Sequence, residues 1–305
     1  MPRLGLTSSA STPDSQKALK SISFKPTQVS GLVIWFDFTD SSSIYTDAGS
    51  TNVSAGNEKI YRVDNKAYTK QNNSTDAIGK FVEQDTSNQR PVYTKAGKQN
   101  NAYAQTGDSN VGTTYGLNVG EGLHASSDPD VTTDTLSDSS IALKRSTWFV
   151  VVACAATSIA SEGVIFEIQN ENQDVFRIHQ NATTNNIGSQ TYQVAARTTD
   201  TTDSGVTSTT DTEIWTFHYG NTINAGKIYK NGDESNGITN GTIQNITFDM
   251  SIDNAHVDIG VCNNHSVLGA KDFVGKVHEV LGYNGGLSDA NRHDVEDYLK
   301  FKYNL

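Results

Sequence analysis

Glu167, Gln169 and Glu171, in the run IFEIQNEN, fall at i, i+2 and i+4, a spacing that puts all three on one face of a continuous strand. Two carboxylates so placed could be the nucleophile and general acid of a retaining glycosidase. The overlapping QNENQD reads instead as a hairpin turn, which breaks the shared face and weighs against catalysis. Carboxylate pairs that suit calcium are Asp37 with Asp40 and Asp128 with Asp130, although no loop has EF-hand spacing. The histidines, His124, His179, His218, His256, His265, His278 and His293, form no His-x-His or His-x-x-x-His pair, so each reads as a strand-surface or helix-surface residue. Trp35, Trp148 and Trp215 sit in apolar runs and read as core. Rings free to stack on a sugar are sought at Tyr45, Tyr103 and Tyr115, in segments that read as loops. Nucleophilic triads, phosphate-binding glycine loops and zinc pairs are absent from the sequence.

The elements that must position these residues are mostly strands. Short β-branched and aromatic runs at 31–38, 59–63, 90–94, 145–157, 163–168, 174–180, 191–197, 213–220, 227–232 and 255–262 are separated by turn residues. Asn231-Gly232 is the best hairpin turn among them, since both residues tolerate a left-handed backbone. The stretches 45–58 and 95–140 are polar and glycine-rich and read as long loops with a few edge strands, and the Thr- and Asp-rich 197–213 reads as an exposed hairpin. The chain has one helix signal, near its end. There Val295, Tyr298, Leu299 and the stem of Lys302 recur at three- and four-residue intervals after a strand at 273–283 and a Gly285-Gly286 turn. Leu287 and Ser288 stand at staple and N-cap positions, Asp289 in the first turn, and Lys300 and Lys302 in the last, all suited to the helix dipole.

The 305 residues suffice for one large β domain. Charged residues make up 19% and apolar ones 35%, and the mean hydropathy is −0.49, as for a polar globular chain. No apolar run is long enough to span a bilayer, and the N-terminus lacks the apolar core of a signal peptide, so neither membrane insertion nor Sec export is expected. The net charge of −11 argues against nucleic-acid binding. Cys154 and Cys262 lie in apolar strand contexts and read as buried thiols rather than a disulfide. The first 25 residues reverse the charge balance, setting Arg3, Lys17, Lys20 and Lys25 against Asp14 alone, a basic arm that suits an acidic partner surface.

In order along the chain come GLVIWFDFTDSSSIY, KIYRVDNKA, QRPVYTKAGKQNNAYAQ, the strand around Trp148, KIYKNGDESNG, and a terminal FVGKVHEVLGYNGGLSDANRHDVEDYLKFKY. From Gly31 onward this series resembles LamG-like, concanavalin A-like jelly-roll domains of the kind found in tailed-phage virion proteins. The most specific part is the last, carried by Phe273, Gly275, Glu279, Tyr283, Asn284, Leu287, Ser288, Tyr298, Leu299, Lys302 and Tyr303. The resemblance implies that these residues are architecture, a final strand completing a sheet and a helix packed on the sandwich. It also weakens the enzyme reading, because concanavalin A-like glycosidases carry an acid where this chain has Gln169.

The expectation is therefore an all-β, concanavalin A-like jelly-roll sandwich with a short C-terminal helix over residues 31–305, behind an anchoring arm at 1–30 whose candidate contacts are Arg3, Lys17, Lys20 and Lys25. The resemblance and the arm together imply a non-enzymatic virion surface protein assembled in the host cytoplasm, present in several copies, without a cofactor beyond calcium. Its partners would be other virion proteins and host surface glycan. A capsid decoration or head-appendage role is favoured over a tail-fibre or adhesin subunit because the chain has neither heptads nor β-helix repeats. The alternative is a lectin-like carbohydrate-binding module.

Overall fold

The computed structural model describes residues 23–48, 51–67, 81–83, 90–95, 103–106, 146–154, 162–169, 175–182, 184–193, 198–219, 226–233, 256–260 and 273–305. In chain order these contain β1 (Leu32–Asp37), β2 (Ile44–Tyr45), β3 (Glu58–Lys59), β4 (Arg62–Asp64), β5 (Phe81–Glu83), β6 (Val92–Thr94), β7 (Tyr103–Thr106) and β8 (Ser146–Cys154). There follow β9 (Gly163–Gln169), β10 (Val175–Gln180), β11 (Asn186–Gln193), β12 (Thr198–Thr207), β13 (Glu213–His218), β14 (Lys227–Lys230), β15 (His256–Ile259), β16 (Gly275–Asn284) and helix α1 (Asp289–Tyr303).

Two sheets face each other across the main core. The larger runs β14-β13-β8-β16-β7-β6-β3, with β1 also paired to β16, and the smaller runs β12-β11-β10-β9-β15; β2, β4 and β5 form a separate three-stranded sheet. All the pairings within the two main sheets are antiparallel. This is the expected all-β sandwich, with a short helix at its C-terminal end.

The alternation of β8 explains the layering. Trp148, Val150, Val152 and Cys154 enter the core between the sheets, while Phe149 and Val151 enter a second core beneath α1. With both faces covered, the strand reads in sequence as one unbroken apolar run. The rings of Phe166 and Phe176 lie 5.3 and 5.4 Å from that of Trp148 across the sandwich.

Helix α1 forms where expected. The Ser288 hydroxyl accepts a hydrogen bond from the Asn291 amide at 3.3 Å, and the helix ends at Asn304 in the left-handed region, φ 57°. Leu287, Val295, Leu299 and Tyr303 close the second core. The same core takes in Phe24 and Val29, and the Tyr283 hydroxyl donates to the Pro26 carbonyl at 3.1 Å. Packing onto the sandwich thus includes Phe24 and Val29, within the segment assigned to the arm.

The terminal motif is structural in detail. Glu279 on β16 accepts hydrogen bonds from the Trp35 indole (2.7 Å), the Lys302 ammonium (2.7 Å) and the Tyr303 hydroxyl (2.8 Å), fastening α1 to β1 and β16. Gly275 lies under the Phe273 ring, where an added Cβ would come within 2.5 Å of the ring, so only glycine fits.

Four expectations change. The run 59–63 splits between β3 in the large sheet and β4 in the three-stranded one. The segment 197–213 supplies β12, a single ten-residue edge strand paired with β11, rather than a hairpin of its own. Tyr45 belongs to β2, and β5 had no counterpart among the expected strands. The Asn231-Gly232 turn is as expected, with φ 53° and 65° closed by the Asp233 amide donating to the Lys230 carbonyl at 3.0 Å.

Candidate functional site

The five-stranded sheet has one apolar and one polar face. Phe166, Ile168, Phe176, Ile178, Val257 and Ile259 point into the sandwich core. The alternate positions align by register into one row across four strands: Gln190 on β11 opposite Arg177 on β10, Arg177 opposite Glu167 on β9, and Glu167 opposite Asp258 on β15. His179 sits two residues along β10 from Arg177, and Glu162 immediately precedes β9.

This row is deep rather than superficial. Arg177 is 0% exposed, Glu167 and Asp258 1%, and His179 2%. The Arg177 guanidinium reaches Glu167 Oε2 at 3.5 Å through Nε and Glu162 Oε1 at 3.8 Å through Nη1, both ion-pair distances. His179 Nε2 lies 3.6 Å from the same Glu162 oxygen. Among the described residues, neither Glu167 carboxyl oxygen and none of the three guanidinium nitrogens of Arg177 has a hydrogen-bond partner. Leaving such groups unsatisfied in a protein interior costs on the order of 1–3 kcal/mol each, and more when charged. Burial pushes the Glu167 carboxyl up to about 8; the nearby Asp258 and Glu162 carboxylates add to this, and Arg177 opposes it. Glu167 is therefore mainly protonated at neutral pH and offers a hydroxyl as well as an acceptor oxygen.

The catalytic triplet considered from the sequence does not assemble as one described face. Glu167 is on β9, the strand ends at Gln169, and Glu171 lies outside the described residues. The partners of Glu167 come instead from neighbouring strands, through register that no local spacing records.

The other candidates take different places. Asp37 and Asp40 meet lysines in this structure: Lys66 Nζ bridges Asp37 Oδ2 and Asp40 Oδ2 at 2.8 Å each, and Lys302 Nζ holds Asp37 Oδ1 at 2.8 Å. Burial alone would raise the Asp37 pKa, but the two ammonium groups outweigh it and hold the carboxyl far below the usual range. Asp128 and Asp130 lie outside the described residues, within which no group of three or more His, Cys, Asp or Glu is placed to hold a metal. His179 and His278 are buried, contrary to the surface reading, and the His278 ring stands edge-on to Tyr303 with centroids 5.5 Å apart. Half-buried His218 lies 3.1 Å from Thr147 Oγ1, His293 is exposed on α1, and for His256 only the backbone on β15 is described. The positions of His124 and His265 lie outside the described residues. All three tryptophans are core, as expected. Cys154 is a buried free thiol that burial pushes up to about 11, and Cys262 is outside the described residues.

Tyr45 is not a free stacking ring. Its hydroxyl donates to Asp64 at 3.0 Å and the Arg62 guanidinium lies 5.1 Å from its centroid. Tyr103 is on β7, and Tyr115 lies outside the described residues. Of the arm candidates, Lys25 is exposed, and Arg3, Lys17 and Lys20 lie outside the described residues.

No protein-family model matches the chain, and no curated protein matches it. Solved structures with a similar fold include the CBM40 of Ruminococcus gnavus IT-sialidase bound to α2,6 sialyllactose, 15% identical, with 59% of this chain and 94% of that one covered and a TM-score of 0.41. Another is domain 4 of AbnA, a GH43 extracellular arabinanase from Geobacillus stearothermophilus, in complex with arabinotriose, 14% identical over 87% of this chain and 98% of that one, with a TM-score of 0.47. A third is Trypanosoma rangeli sialidase, 11% identical over 90% of this chain but only 33% of the sialidase, also with a TM-score of 0.47. These likenesses concern the β-sandwich alone.

Proposed function

We propose that this chain is a non-catalytic saccharide-binding sandwich whose site is the polar row on the five-stranded sheet. One observation carries this: Arg177 and Glu167 are almost wholly buried on the face away from the core, yet their polar atoms lack hydrogen bonds among the described residues. A built, unsatisfied array of this kind calls for a ligand that both donates and accepts at close spacing. Sugar hydroxyls do both, matching the guanidinium donors on one side and carboxyl oxygens on the other. The binding role is preferred to catalysis because β9 carries Gln169, not an acid, two residues beyond Glu167.

The test is a glycan array followed by titration calorimetry, with Arg177→Gln as the comparison. Binding that weakens at least tenfold in the variant, about 1.4 kcal/mol, supports the site. An array without hits, or hits indifferent to Arg177, removes it. Display on a virion surface, as capsid decoration or adhesin, is a compatible proposal supported by the four cations near the N-terminus of an acidic chain.

A further inference from the structure

We infer that the ligand of this row is an uncharged saccharide, with Glu167 serving as a neutral hydrogen-bond donor, and that the site rejects acidic glycans; this rests on the saccharide reading above. The reason is the balance of charge around Arg177. Its guanidinium already faces Glu167 at 3.5 Å and Glu162 at 3.8 Å, and Asp258 is the next residue across the sheet. His179 is turned toward Glu162 as well, at 3.6 Å. Glu167 and Glu162 thus face one guanidinium, Glu162 also faces the imidazole, Asp258 adds a third acid beside Glu167, and Gln190, opposite Arg177 on β11, adds no charge.

A sialic acid, uronic acid or sulfated sugar entering this row would bring a further negative charge to a deeply buried place. Its charge would stand beside the Glu162 and Asp258 carboxylates with a single guanidinium among them, in a place that offers it no water. A neutral hydroxyl pair brings no such charge. It can accept from Arg177 and Glu167 while donating to the acidic oxygens.

Glu167 makes the proposal separable from a generic sugar site. When it ionises, the row gains a negative charge and loses a donor, so affinity for a neutral glycan should fall with rising pH. Its carboxyl titrates near 8, so between pH 7 and 9 the protonated fraction, and with it the affinity, falls about tenfold. Glu167→Gln keeps a donor of similar shape without a proton to lose.

The experiment is calorimetric titration of the full chain with matched neutral and carboxylated or sulfated oligosaccharides, at pH 7 and 9, for wild type and Glu167→Gln. The expected result is binding of neutral ligands, acidic ones at least about tenfold weaker, a pH-dependent loss in wild type, and a flat profile in the variant. Acidic ligands bound as tightly as neutral ones would overturn the inference while leaving the saccharide reading intact. A flat wild-type profile would overturn the donor role of Glu167. Binding of neither class would remove the saccharide reading itself.

Discussion

Lys302 stands between two buried carboxylates, 2.8 Å from Asp37 and 2.7 Å from Glu279, and is itself 9% exposed. Burial alone would lower its pKa, but Glu279 and Asp37 hold it above the ordinary lysine value. Lys302→Met would strand both acids in the interior and is expected to cost about 3–5 kcal/mol in a urea melt. Lys302, Tyr303 and Glu279 were legible in the sequence as architecture, and the structure supplies the reason. Their link to Asp37 was not, since 265 residues separate the partners. Glu167 yields the opposite kind of prediction. Its folded-state pKa is raised from 4.5 to about 8, so its stabilising protonated form is complete below about 4.5 and lost as pH rises toward 8. Melts at pH 5 and pH 8 should show wild type losing more stability than Glu167→Gln over that interval, and equal losses would contradict a buried protonated carboxyl.

At the scale of elements, helix α1 was the most legible because its apolar interval, N-cap and terminal charges all agree. Ser288→Ala should destabilise by about 1 kcal/mol, read as a lower thermal midpoint, through loss of the hydroxyl that accepts from Asn291. Less legible were the charged residues on its inner face. Arg292 is fully buried, bonded to Glu296 at 2.8 Å, with its guanidinium 3.9 Å from the Tyr229 ring centroid, and Glu296 in turn accepts from Thr216 on β13. A charged pair at i and i+4 looks like an exposed salt bridge until the sheet beneath it is known. β12 was misjudged for a similar reason: a Thr- and Asp-rich run suggests a turn, yet β11 supplies a ladder for it. The polar row was invisible for a third. VFRIHQ and GVIFEIQ alternate as any half-exposed strand does, and only antiparallel register sets Glu167 between Arg177 and Asp258.

For the whole molecule, the sandwich was expected and found, whereas the anchoring arm before Phe24 remains a proposal. If residues 1–22 serve only as an anchor, their deletion should leave the melting transition within about 0.5 kcal/mol of wild type. If the arm is an anchor, the same deletion should abolish density on phage particles in cryo-electron microscopy, and retained density would sink the anchoring proposal. The position of β16 has a separate consequence for how the chain is made. Among the described residues β1 joins the large sheet only through β16, and Trp35 meets Glu279 across 244 residues. At roughly 5–20 residues per second, a ribosome takes on the order of ten seconds or more to deliver that partner. During that wait the apolar run LVIWFD has no strand to pair with. The sandwich must therefore assemble late and slowly, as the long loop closures imply, and its yield in cells should depend on chaperones that shield β1 until β16 emerges.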